Sequence, residues 1–189
     1  MPADDAEARE EVHEDEAAPE PPSDEVAAAL VEQFPGSVFV ESHGQPVVHV
    51  PREQWHDVAA FLRDEQQFTQ CVDVTAVDQL VAPSRALPPS VTAERFEVVA
   101  NYLSHLRNRR IRVIAQVPVD DPTIASVSDL YPGVNFAERE TYDLFGVEFT
   151  GHPDLTRILM PDDWVGYPLR KDDAPARVPV TFKGDPSPR

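Results

Sequence analysis

The sequence predicts an α+β fold: a single domain with a mixed, largely antiparallel sheet flanked by helices. Three observations point there. The periodic segments run helix, hairpin, helix, then several strands, then helices, an order typical of mixed α+β packing. A chain of 189 residues supports one sizeable core but not two. Charge and proline are unevenly spread, and this sets the boundaries: a disordered acidic tail over residues 1–23, the folded domain over 24–150, and an extended partner-binding arm over 151–189.

The first 25 residues hold eleven acids against Arg9 alone, and so carry ten of the 18 net negative charges. With Pro19, Pro21 and Pro22 and few large apolar side chains, the tail cannot offset the entropy of ordering. A basic n-region and an apolar h-region are both missing, so it does not read as a signal peptide. Asp24 is placed to cap a helix from about Glu25 to Phe34, ended by Pro35-Gly36. The alternating runs SVFVESH and PVVHV, joined at His43-Gly44-Gln45, form a β-hairpin. Pro51 fits a helix N1 position, and Trp55, Val58, Ala59 and Leu62 continue at helical spacing to about Gln66. A strand from Phe68 to Val81 sets Val72, Val74, Ala76 and Leu80 on one face.

Residues 82–92 are proline-rich and read as a loop, followed by strands over Arg95–Leu103 and Ile111–Val117. Between them, SHLRNRR carries Arg107, Arg109 and Arg110, a basic cluster in an acidic chain. It is either a solvated hairpin end, a grip for a partner's carboxylates, or a source of counter-ions for Glu138 and Glu140. Asp121-Pro122 is placed to start a helix reaching Leu130, which Tyr131-Pro132-Gly133 breaks.

Phe136 to Phe145 then reads as a short helix stopped by Gly146 at a position where φ turns positive. At about 100° per residue, Phe136, Ala137 and Leu144 gather on one side with Glu140 among them, while Glu138 falls between Tyr142 and Phe145. Arg139 can pair with Asp143 at i, i+4, whereas Glu138 and Glu140 need partners elsewhere. Such a helix is either a surface helix with snorkelling charges or one gripped on two sides, by its own domain and by another chain.

Beyond Gly151, prolines punctuate a stretch whose apolar residues, including Ile158, Leu159, Met160, Trp164, Tyr167 and Leu169, would be exposed in a monomer. Apolar surface of that kind marks a partner interface.

The composition excludes several functions. Cys71 is the single cysteine, so neither a disulfide nor a thiolate cluster can form within the chain, and in its alternating setting it is a structural thiol. The six histidines are scattered, which argues against metal binding, and no run approaches the roughly 20 apolar residues of a membrane span. The acidic balance disfavours nucleic acid and anionic lipid. Glu138, Glu140 and Asp143 could in principle serve a stand-alone hydrolase as acid and base, but no nucleophile elbow, metal set or phosphate loop accompanies them.

Residues 138–172, ERETYDLFGVEFTGHPDLTRILMPDDWVGYPLRKD, resemble the signature of the C subunit of the bacterial proton-pumping NADH:quinone oxidoreductase, respiratory complex I. The matching positions are Glu138-Arg139-Glu140, Asp143, Leu144, Phe145, Gly146, His152-Pro153, Leu155, Arg157 and Tyr167 through Asp172. The resemblance implies a non-catalytic subunit of the peripheral arm, packed against the D subunit and its neighbours near the quinone site. It would be held at the cytoplasmic side of the cell membrane only through the complex. FMN, iron–sulfur clusters and quinone would then belong to partners, with no cofactor, metal or active site in this chain. A related membrane-bound hydrogenase or another donor:quinone oxidoreductase uses an equivalent subunit and is the alternative. The expected partner interface comprises Glu138, Arg139, Glu140, Asp143, Phe145, His152, Arg157, Trp164, Tyr167, Leu169 and Arg170.

Overall fold

The computed structural model describes residues 23–173; the acidic tail through residue 22 and the arm beyond residue 173 lie outside the described residues. Helix α1 (Glu25–Gln33) starts where Asp24 Oδ1 accepts the N–H groups of Val26 and Ala27, as the cap predicted. The hairpin of β1 (Val38–Ser42) and β2 (Gln45–Val50) turns through His43 and Gly44, both at positive φ, which suits a two-residue loop between twisted strands.

Pro51 does not begin a helix: it precedes a single 3₁₀ turn, and helix α2 (Trp55–Asp64) follows. Three long strands, β3 (Gln70–Asp78), β4 (Phe96–Ser104) and β5 (Arg109–Val117), complete a five-stranded sheet in the order β1-β2-β5-β4-β3. Only β2 and β5 pair in parallel; the other neighbours are antiparallel, so the sheet is mixed and largely antiparallel as expected.

Register places Val48, Val50, Val74, Ala76, Val98, Ala100, Val113 and Ala115 on one face. These join Val26 and Leu30 of α1 and Trp55, Val58 and Leu62 of α2 in one apolar core. The opposite face is bridged by the loop after β3, where Arg85 and Gln79 donate to the buried Glu97. Val72 is 54% exposed rather than aligned with Val74, because a register shift between Cys71 and Asp73 turns it away from the core.

The largest departure lies at residues 121–130. The expected helix there is absent; Thr123–Ala125 forms β6, paired in parallel with β7 (Glu148–Thr150). Three-residue strands carry too little alternation to be read from sequence, and the Asp-Pro start resembled a helix cap. The basic cluster is also reassigned. Arg109 donates to Asp24 at 2.6 Å, so it supports the cap of α1 and is no counter-ion for Glu138 or Glu140.

Candidate functional site

Helix α3 (Asn135–Phe145) lies along β3 on the core side of the sheet and ends at Gly146, with φ 71°. Two requirements meet at that glycine. A left-handed backbone is cheap only without a Cβ, and a Cβ there would fall 2.5 Å from the ring of Tyr167 and 2.6 Å from Arg170. The close approach exists because residues 151–173 double back over the end of α3.

Asp143 is the pivot of that return. Its side chain is fully buried, with Oδ2 accepting the N–H groups of Ile158, Leu159 and Met160 at 2.7–3.0 Å and Oδ1 accepting from Arg157 at 2.6 Å. Burial acts to raise its pKa, but the three amides and Arg157 outweigh it and hold the carboxyl below the usual range. The expected Arg139–Asp143 pair is therefore corrected: Arg139 instead donates to the carbonyls of Thr156 and Arg157 and to Thr156 Oγ1. A carboxylate surrounded by consecutive backbone amides is a better site for Asp143 than an exposed i, i+4 contact.

The end of α3 has no basic residue of its own. Its carbonyls are met from the returning segment: Arg157 donates to Asp143 O, Arg170 to Phe145 O and Gly146 O, and Leu169 N–H to Leu144 O. Cations at this end also oppose the negative pole of the helix. Tyr167 sits between the two arginines, its ring centroid 5.4 Å from the Arg157 guanidinium and 4.5 Å from that of Arg170.

A second anchor, missed from sequence, closes the segment. The buried Asp78 at the end of β3 accepts from Arg95 at 2.9 and 3.1 Å, from Lys171 N–H at 2.8 Å and from Leu80 N–H at 3.0 Å. Burial opposes its ionisation, yet these donors hold its pKa down to about 2. Arg95 also pairs with Asp172. The available signal was an acid in step with Val74 and Ala76 on the core face of the strand.

Glu138 is satisfied differently. It is fully buried, accepts from Ser126 Oγ at 2.6 Å and Val127 N–H at 2.8 Å, and lies 3.8 Å from His152 Nε2. His152 is itself buried: Nδ1 accepts from Asp154 N–H, so Nε2 carries the proton donated to Asn135 O. With no cation bonded to it, Glu138 has its pKa pushed up to about 7 by burial, against the pull of Ser126 and Val127.

The predicted interface residues thus separate into two groups. Glu138, Asp143, Phe145 and His152 are buried within this chain, and Arg139, Arg157, Tyr167 and Arg170 hold the returning segment. Glu140 is exposed on the same side of α3 as Phe136, so it needs no buried counter-ion. Leu169 is 46% exposed, and Trp164 is half-buried with an unpartnered Nε1. Phe136, Leu159 and Val165 are 62%, 55% and 91% exposed. Glu138 and Asp143 are fully buried, whereas Glu140 is exposed. Cys71 has its thiol pushed up to about 12 by burial, in line with a structural role.

The chain is similar to known proteins. A family model described as "Respiratory-chain NADH dehydrogenase, 30 Kd subunit" matches residues 48–178. The chain is 42% identical over 168 residues to the C subunit of NADH-quinone oxidoreductase from Salinispora arenicola, covering 85% of this chain and 65% of that protein. It is 44% identical over 160 residues to the protein of the same name from Geobacter sulfurreducens, covering 82% and 92%. The chain thus spans just under two thirds of the Salinispora relative's length. Among solved structures, a trypsin-resistant fragment of Nqo5 superimposes with TM-score 0.59 at 33% identity, over 69% of this chain and 99% of the fragment. A chain of an archaeal membrane-bound sulfane sulfur reductase, at 21% identity and TM-score 0.56 over 87% of this chain and 97% of that one, shares the fold.

Proposed function

Because this chain belongs to the respiratory-chain NADH dehydrogenase 30 Kd subunit family, we propose that it is the corresponding peripheral-arm subunit of an NADH:quinone oxidoreductase. In this reading it supports electron transfer from NADH to quinone, coupled to proton translocation, by giving shape and contacts rather than chemistry. It packs on the D subunit and is held at the cytoplasmic side of the membrane through the complex. FMN, iron–sulfur clusters and quinone belong to its neighbours. A single cysteine in the whole sequence, unable to supply the thiolates of a cluster, supports that division. Among the described residues no helix is long and apolar enough to cross a membrane.

One observation carries the proposal. The segment over 151–173 is fixed to α3 and β3 by buried carboxylates and arginines, while Leu159, Val165 and Leu169 are exposed, as is Phe136 on α3. Investing two buried acids to hold apolar side chains in water makes sense for a docking surface.

The test is affinity purification of the full chain from detergent-solubilised membranes, with limited proteolysis of residues 151–173. The D subunit and the NADH-oxidising subunits should co-purify, and the D subunit should slow cleavage of the segment. Cleavage at the same rate with and without that neighbour would overturn the docking. Recovery with a different electron-input module would move the chain to another donor:quinone oxidoreductase.

A further inference from the structure

The face of the sheet opposite the core carries a cavity that the docking surface does not use. The loop over residues 85–94 crosses that face and is pinned at both ends: Arg85 donates to Glu97 and to Gln116 Oε1, and the same Oε1 accepts from Glu94 N–H. Beneath the loop lies a cavity of about 460 Å³, roofed by Leu87 and Pro88 and floored by Val47, His49, Arg112 and Ile114. A second, of about 410 Å³, adjoins it at His49. Both fall in the range of roughly 300–1,000 Å³ usual for small-molecule sites, and the first has their usual make-up of apolar walls with a few polar groups.

His49 and Arg112 bring unused hydrogen-bonding capacity to that floor. His49 is 8% exposed, its Nδ1 is enclosed without a partner, and no described residue bonds Nε2; whichever nitrogen carries the proton, that N–H lacks an acceptor. Burial, opposed by Glu97 and aided by Arg85, lowers the pKa of the ring and keeps it neutral. Arg112 spends Nε on Asn101 Oδ1 at 3.2 Å, and among the described residues no carboxylate pairs with it. Glu97, the buried acid beside them, is already taken by Arg85, Gln79 and Gln116. The cavity therefore holds one uncompensated positive charge beside a neutral donor.

The strand register sets how these groups are spaced. Val47 stands opposite Arg112 and His49 opposite Ile114, so the four make a square with the polar pair on one diagonal and the aliphatic pair on the other. With strands about 4.8 Å apart and two residues spanning roughly 6.6 Å, the polar pair is about 8 Å apart at the backbone, a gap that two side chains and one carboxylate fill. We propose that this cavity binds a monocarboxylate with a short apolar stem, the carboxylate accepting from Arg112 and the His49 ring, the stem lying on Val47, Ile114 and Leu87. One negative charge balances the one free guanidinium, whereas a dianion such as phosphate would leave surplus charge among apolar walls. The ion pair alone is weak near solvent, so the stem supplies the rest by burying apolar surface. Because the roof is already pinned at Arg85 and Glu94, binding costs little ordering of the loop.

The experiment titrates the full chain, ¹⁵N-labelled, with hexanoate, and separately with acetate and with hexanol, which carry only one of the two features each. Hexanoate should move the amide signals of Leu87, Val91, Arg112 and Ile114 saturably, with Kd about 1 mM or tighter. Acetate and hexanol should each bind at least about tenfold more weakly. Arg112→Gln, at a part-exposed position where the bond to Asn101 can persist, should weaken hexanoate at least about tenfold with hexanol and Tm unchanged, and Arg112→Lys should recover part of the loss. Absence of saturable shifts at these amides would overturn the proposal. So would acetate binding as tightly as hexanoate, which would mark an adventitious ion only, or hexanoate affinity that Arg112→Gln leaves intact. Saturable shifts at the same amides from a glutamate-rich peptide, with none from hexanoate, would overturn it in favour of a protein partner.

Discussion

Glu138 and Asp143 stand five residues apart on α3, and both are wholly buried, yet their surroundings drive them in opposite directions. Asp143 has three amides and a guanidinium, so Asp143→Ala should cost about 3–5 kcal/mol by leaving Arg157 and the amides unpaired. Urea denaturation would measure that loss, and faster proteolysis of residues 151–173 would accompany it. Glu138, raised to about 7 from an ordinary value near 4.5, has the reverse sign. Its neutral form suits the folded state, so its contribution is complete below about pH 4.5, fades as pH rises, and is gone above about pH 7. Over that window wild type should lose up to about 3 kcal/mol relative to Glu138→Gln, which keeps the hydrogen bonds and has no charge to bury. His49, whose protonation burial suppresses, gives the opposite slope near its own range, but it is common to both proteins. Stability curves at pH 5 and pH 8 for the pair therefore isolate Glu138; parallel curves would contradict the assignment. Neither behaviour was readable from sequence, where both residues were simply acids on a helix with apolar neighbours. The difference lies in which backbone segment arrives beside each one.

At the scale of elements, what was legible is what local chemistry dictates. The Asp24 cap, the His43-Gly44 turn and the stop at Gly146 each depend on residues adjacent in sequence, and each stands where expected. The β6–β7 pair and the capping of α3 by Arg157 and Arg170 depend on segments far along the chain, so no spacing rule announces them. Gly146 belongs to both classes. Sequence shows its positive φ, and only the fold shows Tyr167 and Arg170 pressed against it. Gly146→Ala should accordingly cost more than the roughly 1 kcal/mol of the backbone alone, about 2–4 kcal/mol with the clash included. Thermal unfolding would register this, and a loss under about 1 kcal/mol would mean that Tyr167 moves aside freely.

For the molecule as a whole, the prediction is a separation of stability from assembly. Leu159→Asp with Val165→Asp alters side chains that are 55% and 91% exposed, so Tm should shift little, within the usual range of about ±0.5 kcal/mol for surface changes. Recovery of the complex should nevertheless fall at least about tenfold, since charges would be buried in the contact; undiminished co-purification would exclude this surface. The fold class could be read from the order of periodic segments, and Ile158, Leu159 and Leu169 of the arm are exposed as expected, whereas Met160, Trp164 and Tyr167 are part-buried. The sheet order could not, because β2 meets β5 only through tertiary packing. That parallel seam has a consequence during synthesis on the ribosome. The β1–β2 hairpin leaves the exit tunnel with one side of β2 unmatched, and it stays so until residues 109–117 have been translated. Nascent chains stalled before that point would carry a sticky ribbon that chaperones must shield, and slow codons placed between the two would lengthen the hazard.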